Sequence, residues 1–145
     1  MRLPIQISTI VFRKNRSKIE YLILHRIKSR GDFWQFVSGG LEEGETRKEC
    51  VFRELVEETG IKKVKRFIDS FHYQQFNDKY LQYRKYWMTE YVYAVEVSQN
   101  TEINIKNNVY PEHNEYRWVS IAEAVKHLKY KDNKNAYLKL DKLLH

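Results

Sequence analysis

Residues 39–61 read GGLEEGETRKECVFRELVEETGI, and they concentrate acidic side chains in a chain whose net charge is +7. Like charges three or four residues apart on a helix repel one another, so this density needs a stabilising partner. A divalent cation is the usual one, because hard ions such as Mg²⁺ take oxygen ligands and bind against substrate phosphates. We therefore expect a site for Mg²⁺, for which Mn²⁺ can substitute, among Glu42, Glu43, Glu45, Glu49, Glu54, Glu57 and Glu58.

The same stretch predicts a loop and then a helix over residues 47–59. Glycine tolerates positive φ, Thr46 is a suitable N-cap, and Gly60 is a suitable left-handed residue at the end. A helical period of about 100° per residue predicts a core-facing apolar stripe with an acidic face opposite to it. The loop glycines are Gly39, Gly40 and Gly44, the stripe is Val51, Phe52, Leu55 and Val56, and the acidic face is Glu54, Glu57 and Glu58.

An acidic helical face is ordinarily only a solvated surface. Here the glycines before the helix, Glu45 upstream and Arg53 inside the acidic run favour a functional site instead. The spacing matches the box of the Nudix hydrolases, G-x5-E-x7-R-E-U-x-E-E-x-G-U, where U is a bulky aliphatic residue. The matching positions are Gly39, Glu45, Arg53, Glu54, Leu55, Glu57, Glu58, Gly60 and Ile61. The chain thus resembles a Nudix hydrolase.

The resemblance implies roles for the charged residues of the box. Glu54 and Glu58 are expected to bind the metal directly. Glu57 is either a further ligand or the general base, and the resemblance leaves that choice open. Arg53 is expected to pair with a box glutamate and orient it, and Glu45 to support the loop through Arg53.

Two further segments resemble the bacterial dATP and dihydroneopterin triphosphate pyrophosphohydrolases of this family. Residues 31–46, GDFWQFVSGGLEEGET, are similar to a DFWQ-x-V-x-G-x-VEEGET segment, and residues 111–124, PEHNEYRWVSIAEA, to a TEH-x-x-Y-x-W segment. The second similarity implies that Glu112 is another metal ligand. His72 and His113 are candidate bases, although a histidine in a polar segment is ordinarily solvated.

On the substrate side, the resemblance implies that Arg26 lies beside the phosphates. Gly39 and Gly40 are expected to let the loop backbone approach the helix and the substrate. Trp34 is expected either to pack under the glycine loop or to stack on the ring of the substrate. Most tyrosines of residues 73–93 are expected to be structural, with one or two available to stack on a flat ring.

Composition predicts one soluble domain over residues 1–145. No apolar run approaches the roughly 18 residues of a membrane span, and the N-terminus lacks a signal-peptide pattern. We therefore expect a cytoplasmic protein without a membrane partner. The single cysteine, Cys50, allows no intramolecular disulfide, and we expect it to pack in the helix rather than to react.

The positive charge suits a polyanionic partner. The basic residues are spread along the chain, as lysines that keep a surface soluble usually are, so nucleic acid is not the expected partner. The resemblance implies a nucleotide or pterin triphosphate as the partner. The sequence leaves open whether the chain is a monomer or a homodimer.

The remaining pattern predicts an α/β fold. Strands are expected over residues 5–13, 19–25, 34–37, 63–75, 86–97 and 115–119, and further helices over 121–128 and 134–143. Ser120 and Glu123 form a capping-box signature, and Asp132 or Asn133 can cap the last helix. This alternation suggests a mixed sheet between helices, and the resemblance implies the same α/β/α sandwich.

The leading hypothesis is a metal-dependent hydrolase that cleaves a phosphoanhydride bond in a nucleoside or pterin triphosphate and releases pyrophosphate. An alternative is a dinucleoside polyphosphate or RNA 5′-pyrophosphohydrolase, because residues 34–40 resemble the WQF-x-x-GG pattern of those enzymes. They usually carry a proline where this chain has Val37. A hypothesis of another class, a non-catalytic nucleotide-sensing domain, is disfavoured because all the box carboxylates are present.

Overall fold

The computed structural model describes residues 2–77, 87–106, 108 and 110–145. Its strands are β1 (Arg2–Asn15), β2 (Lys18–Arg26), β3 (Trp34–Gln35), β4 (Val37–Glu42), β5 (Arg66–Asn77), β6 (Trp87–Glu96) and β7 (His113–Val119). Its α-helices are α1 (Arg47–Thr59), α2 (Ile121–His127) and α3 (Lys131–Leu144), and a 3₁₀ helix (Lys28–Arg30) follows β2. No helix within these described ranges is long and apolar enough to cross a membrane.

Strand β1 is the centre of the sheet. On one side it runs parallel to β6, with Ile7 opposite Tyr91. On its other side, β4 pairs with the first part of β1 and β2 pairs with the last part, both antiparallel. Strand β5 pairs with β6, and both β3 and β7 pair with β2. The parallel pair among antiparallel ones makes the sheet mixed, as the sequence predicts.

Helices cover both faces of this sheet. Helix α1 packs on one face, where Leu55 joins Ile7 of β1 in an apolar cluster. Helices α2 and α3 pack on the other face, where Ala124 and Tyr137 join Ile10 of β1. Odd and even residues of a strand point to opposite faces, which is why Ile7 and Ile10 serve different clusters. The predicted α/β/α sandwich is confirmed.

Helix α1 begins and ends where the sequence predicts. The Thr46 hydroxyl accepts the N–H of Glu49 at 3.1 Å, and the Glu49 carboxylate accepts the N–H of Thr46 at 2.9 Å. This reciprocal capping box satisfies two N–H groups that the first turn leaves unpaired. Gly60 follows with a φ of 73°, the left-handed conformation that ends the helix.

The predicted division of α1 into an apolar and an opposite acidic face is wrong. Glu54 and Glu58 are buried, whereas Phe52 and Val56 are only half-buried. Val51 and Glu58 are seven residues apart, close to two full turns, so they lie on the same side of the helix. The side of α1 that faces the sheet therefore carries two carboxylates beside its apolar residues.

The glycines before α1 do not form one flexible loop. Gly39 and Gly40 lie in β4, opposite Ile7 and Gln6 of β1. Gly44 has a positive φ, 83°, and Gly39 and Gly40 do not. The first half of β1 offers backbone N–H and C=O groups on this side, and pairing with them holds residues 39 and 40 in a strand.

Other bounds also differ from the predictions. The strand predicted over 34–37 is two strands, β3 and β4, and the one predicted over 63–75 begins at Arg66. Helix α3 begins at Lys131, not at 134, and has no side-chain cap. Its buried residues recur every three or four positions, so packing on the sheet draws the predicted caps into the helix. These buried residues are Asn133, Ala136, Tyr137 and Leu140. Tyr86, the first residue of the strand predicted over 86–97, lies outside the described residues.

Candidate active site

Arg53 ties the segment before α1 to the helix. Its Nε and Nη2 donate to the two oxygens of Glu45, at 2.6 and 3.0 Å, and Nη2 also donates to the Gly40 carbonyl at 3.1 Å. Its Nη1 donates to Glu54 at 2.8 Å and to Glu57 at 3.4 Å. The hydrogen bonds from Arg53 lower the pKa of Glu45 to about 2, and the same pairing raises the pKa of Arg53. Both groups are therefore charged at neutral pH.

Glu54 lies against β4 where Gly39 leaves room for it. A Cβ at position 39 would collide with the Glu54 carboxylate. Burial raises the pKa of Glu54, and the charge of Arg53 opposes that shift. Gly39 is required here for a close approach of the backbone, rather than for an unusual φ.

Glu58 is the most deeply buried carboxylate of α1. One oxygen, Oε2, accepts the backbone N–H of Ser38 at 3.1 Å, and the other, Oε1, has no hydrogen-bond partner among the described residues. Burial, and then the charges of Glu54 and Glu112, raise the pKa of Glu58 well above its usual range. A buried carboxylate in this setting is costly unless a cation compensates its charge.

The segment before β7 supplies the other side of the site. Ligand atoms of Glu58, Glu112 and His113 all lie within 4.8 Å of one another. The backbone carbonyl of Glu112 accepts the N–H of Ile27 at 2.9 Å, which attaches this segment to the end of β2. The carboxylates that the sequence predicted as ligands at positions 58 and 112 are thus brought together, although they lie far apart in the chain.

His113 is buried, so the expectation that it is solvated is wrong. Burial, followed by the charges of Arg26 and His25, lowers the pKa of His113 to about 4. Its Nε2 lies 2.9 Å from the amide nitrogen of Gln35, a donor, so Nε2 accepts and the neutral ring carries its proton on Nδ1. That Nδ1 lies 3.7 Å from Glu58 Oε1. A metal ligand needs a free lone pair on the coordinating nitrogen, so this arrangement makes His113 a neighbour of the carboxylates rather than a ligand.

Glu57 is set apart from this group. Its side chain is 44% exposed, and its ion pair is the one to Arg53 at 3.4 Å. The group of neighbouring ligand atoms within the described residues holds Glu58, Glu112 and His113, and it includes neither Glu54 nor Glu57. The choice between ligand and base for Glu57 therefore stays a prediction.

Two cations and two aromatic rings flank the site beside His113. Arg26 lies opposite His113 in the β2–β7 pair, and its buried Nε has no hydrogen-bond partner among the described residues. Its guanidinium lies 5.5 Å from the ring centre of Phe33, and the ammonium of Lys129 lies 5.4 Å from the rings of Phe33 and Tyr130. Sequence reasoning missed these three residues: Phe33 reaches Arg26 through the turn between β2 and β3, and Lys129 and Tyr130 reach Phe33 only through the packing of the α2–α3 turn.

Trp34 packs on the α2 side of the sheet. Its ring lies 5.0 Å from His25 and 5.9 Å from His127, and the guanidinium of Arg117 lies 4.8 Å from its ring centre. These contacts account for its partial burial. Stacking of Trp34 on a substrate ring stays a prediction.

The remaining candidates fall into two groups. Cys50 is buried with its thiol 3.7 Å from the Gly40 carbonyl, and burial raises its pKa to about 12, so it packs as predicted. Of the tyrosines, Tyr91 lies against the core and Tyr73 is exposed. Three of them, Tyr80, Tyr83 and Tyr86, lie outside the described residues.

A family model described as the NUDIX domain matches residues 3–140. The chain is 28% identical over 127 residues to an RNA pyrophosphohydrolase of Sulfurovum sp., an alignment that covers 85% of this chain and 80% of that protein. It is 27% identical over 140 residues to the dihydroneopterin triphosphate diphosphatase of Escherichia coli, covering 92% of this chain and 89% of that one. A crystal structure from Listeria monocytogenes, described as a NUDIX hydrolase, superposes with a TM-score of 0.85 at 29% identity, over 98% of this chain and 94% of that one.

Proposed function

The chain is a hydrolase of the NUDIX domain family, and on that premise we propose that it cleaves a phosphoanhydride bond of a nucleoside or pterin triphosphate and releases pyrophosphate. The observation that carries this proposal is the buried carboxylate of Glu58, one oxygen of which has no hydrogen-bond partner among the described residues, with Glu112 beside it. Nudix enzymes generally use a divalent metal, and we propose Mg²⁺ here, for which Mn²⁺ can substitute.

Three carboxylates are proposed to hold the metal: Glu54, Glu58 and Glu112. Their oxygens suit a hard cation, and the raised pKa values of Glu54 and Glu58 indicate that positive charge would stabilise both. A bound divalent ion supplies Lewis acidity, which makes water nucleophilic at neutral pH and neutralises phosphate charge. Glu57 is proposed as a further ligand or as the base that takes the proton of the water.

Arg53 and Glu45 are proposed to position these carboxylates. Arg53 donates to Glu54 and Glu57 while Glu45 and the Gly40 carbonyl hold its guanidinium in place. A fixed guanidinium limits the rotamers open to the carboxylates, and such preorganisation raises metal affinity.

The substrate is proposed to lie on the flank formed by Arg26, Phe33, Lys129 and Tyr130. The two cations suit the phosphates, since neither is engaged in an ion pair among the described residues. The exposed ring of Tyr130 adds an aromatic surface at the edge of this flank. Gly39 and Gly40 are proposed to let β4 approach the reacting phosphate, and Trp34 to line the site from the α2 side.

The two relatives support two substrates. Similarity to the dihydroneopterin triphosphate diphosphatase, which extends over 92% of the chain, supports the pterin or nucleoside triphosphate. Similarity to the RNA pyrophosphohydrolase supports a second candidate, a 5′-triphosphorylated RNA.

A non-catalytic sensing domain is the weaker hypothesis, because the box carboxylates are all present. A cytoplasmic location and a single domain over residues 1–145 stay proposals from the sequence.

A substrate screen tests the proposal. Purified protein with Mg²⁺ or Mn²⁺ would be given dNTPs, NTPs, dihydroneopterin triphosphate, diadenosine polyphosphates, nucleotide sugars and 5′-triphosphorylated RNA, and the released phosphate identified. We expect kcat/KM to be highest for a triphosphate that carries a single flat ring, with pyrophosphate as product and no turnover in the presence of a chelator.

Two results would overturn this expectation. Higher kcat/KM for RNA or a dinucleoside polyphosphate at physiological salt would favour the second candidate, and salt must be fixed because electrostatic RNA binding fades as it rises. No turnover of any phosphoanhydride with either metal would refute the hydrolase assignment and favour a sensing domain.

A further inference from the structure

A second buried carboxylate, Glu90 of β6, lies on the sheet face that α3 covers. It is 3% exposed and accepts three hydrogen bonds: from the Ser8 hydroxyl at 2.6 Å, from the Gln74 amide at 2.6 Å and from the Gln6 amide at 3.0 Å. Burial raises the pKa of Glu90, while these three donors oppose the shift and favour the charged form.

Packing alone does not require a polar cluster at this place. Its neighbours in the same cluster of the core, Ile10, Val92 and Ala94, are apolar and fully buried. A buried charged group with its partners is seldom more stabilising than apolar side chains of similar volume. Since the hydrolytic site described above does not use Glu90, its retention needs another explanation.

The cluster also has unused acceptor capacity. Gln74 donates its amide N–H to Glu90, and its own Oε1 is buried with no hydrogen-bond partner among the described residues. The Nε2 of His72, two residues earlier on β5, is also buried and unpartnered among the described residues, and it is a donor or an acceptor depending on the tautomer of the ring. A carboxylate has about four lone-pair positions, and the three donors among the described residues occupy three of them on Glu90. The cluster therefore holds an acceptor, Gln74 Oε1, that has no donor among the described residues.

The cluster is continuous with the candidate metal site through Ser38. The Ser38 N–H donates to Glu58 Oε2 at 3.1 Å, while its hydroxyl lies 2.7 Å from the Gln6 amide and 3.2 Å from the Ser8 hydroxyl. Gln6, Ser38, His72 and Gln74 are each partly exposed, so the rim of the cluster reaches the surface. Ser38 therefore contacts both Glu58 and the cluster, which places the cluster next to the proposed phosphate site.

We propose that the Glu90 cluster, Gln6, Ser8, Gln74 and Glu90, recognises the ring of the substrate and selects one that presents adjacent N–H donors. The 2-aminopyrimidin-4-one edge shared by guanine and pterins has this pattern, a ring N–H beside an amino group. Adenine presents an acceptor nitrogen beside its amino group, and that acceptor would face the oxygens of Glu90 and Gln74 without a hydrogen bond. A site built to pair with donors rejects a ring that lacks them, because its own buried acceptors stay unpaired. The inference rests on the proposed function.

The test compares kcat/KM for dGTP and dihydroneopterin triphosphate with kcat/KM for dATP and dCTP, in the wild type and in three variants. Glu90→Gln replaces an acceptor by a donor, and Gln74→Met removes the unpaired oxygen at a partly exposed position that tolerates change. Glu96→Gln is the matched control, since Glu96 is a buried glutamate of the same strand that lies near Lys65 instead of the cluster.

We expect the wild type to prefer the donor-edge substrates. Glu90→Gln and Gln74→Met should reduce the dGTP/dATP ratio of kcat/KM by about 10- to 100-fold, the range for a lost hydrogen bond to a charged or buried group. Glu96→Gln should leave the ratio unchanged. Calorimetric affinity for a non-hydrolysable dGTP analogue should fall in the same two variants.

Two outcomes would overturn the inference while leaving the proposed function intact. One is a wild type that hydrolyses all four triphosphates without preference for the donor edge. The other is an equal fall in kcat/KM for all substrates in both variants, which would mean that the Glu90 cluster only holds Ser38 in position. If no triphosphate is hydrolysed at all, the proposed function itself fails, and a lack of dGTP-analogue binding in calorimetry would then overturn the inference separately.

Discussion

Arg53 and Glu45 form a bidentate ion pair across the start of α1, with N–O distances of 2.6 and 3.0 Å. The pair closes the segment around Gly44 onto the helix, and the remaining guanidinium nitrogen is directed at Glu54. One arginine therefore links the loop to the carboxylates of the candidate metal site.

This pair should make stability depend on pH in the acid range. The pKa of Glu45 falls from 4.5 to about 2 on folding, so its contribution is complete above 4.5, shrinks below that, and is lost as the pH falls through 2. We expect Glu45→Gln to lower the free energy of unfolding by about 2 kcal/mol at pH 7 and by much less at pH 2. Urea unfolding of both proteins across this pH range measures the difference, and Glu43→Gln, at an exposed position, is the control. A loss of stability that does not change with pH would contradict the ion pair as its source.

Glu58→Gln separates metal binding from folding. The amide binds hard cations poorly, so kcat with Mg²⁺ should fall by more than about 100-fold. Because the pKa of Glu58 is raised on folding, its ionisation destabilises the metal-free fold as the pH rises above 4.5. The metal-free variant should therefore be at least as stable as the wild type at pH 7. Turnover close to that of the wild type would refute the ligand assignment, and Glu43→Gln is again the control.

Glu112→Ala tests the ligand outside α1. Affinity for Mn²⁺, measured by titration calorimetry, should fall by about 10- to 100-fold, whereas the thermal midpoint should change little because a half-exposed loop carboxylate contributes little to folding. Glu115→Ala is the matched control, since Glu115 is exposed and pairs with Arg117. Equal Mn²⁺ affinity in both variants would remove Glu112 from the site.

Two glycine variants distinguish a position that needs steric room from a position that needs a positive φ. Gly39→Ala places a Cβ against the Glu54 carboxylate, so Mn²⁺ affinity and turnover should both fall. Gly44→Ala meets open space but has a φ of 83°, so it should cost about 1 kcal/mol of stability without changing Mn²⁺ affinity. If the two variants bind Mn²⁺ equally, the approach of Gly39 to Glu54 is not a requirement of the site.

Cys50 should be inert to alkylation in the folded protein. Its thiol is buried and its pKa is raised to about 12, so the thiolate is scarce at pH 8. Iodoacetamide labelling followed by mass spectrometry should require unfolding in urea. Rapid labelling of the native protein would mean that this part of α1 opens readily.

Some features could be predicted because their signals act over one or two turns of chain. Thr46, Glu49 and Gly60 specify the bounds of α1 through capping, and those bounds are the predicted ones. The pairing of Glu45 with Arg53 also follows from residues only eight positions apart. Glu54 and Glu58 were predicted on the side of α1 away from the core, but both are buried. A helical pattern that assigns every polar residue to the surface does not anticipate a buried carboxylate.

The sequence by itself determined the family box, helix α1 and the α/β/α class, because caps, glycines and periodicity express local backbone preferences. Only the tertiary structure decided that Ser38, Glu58 and His113 meet, that Gly39 lies in a strand beneath Glu54, and that Glu90 is buried among Ser8, Gln6 and Gln74. These contacts join residues from separate strands and a helix. Their free energy depends on burial and on which donors converge, and neither can be read before the strands are in register.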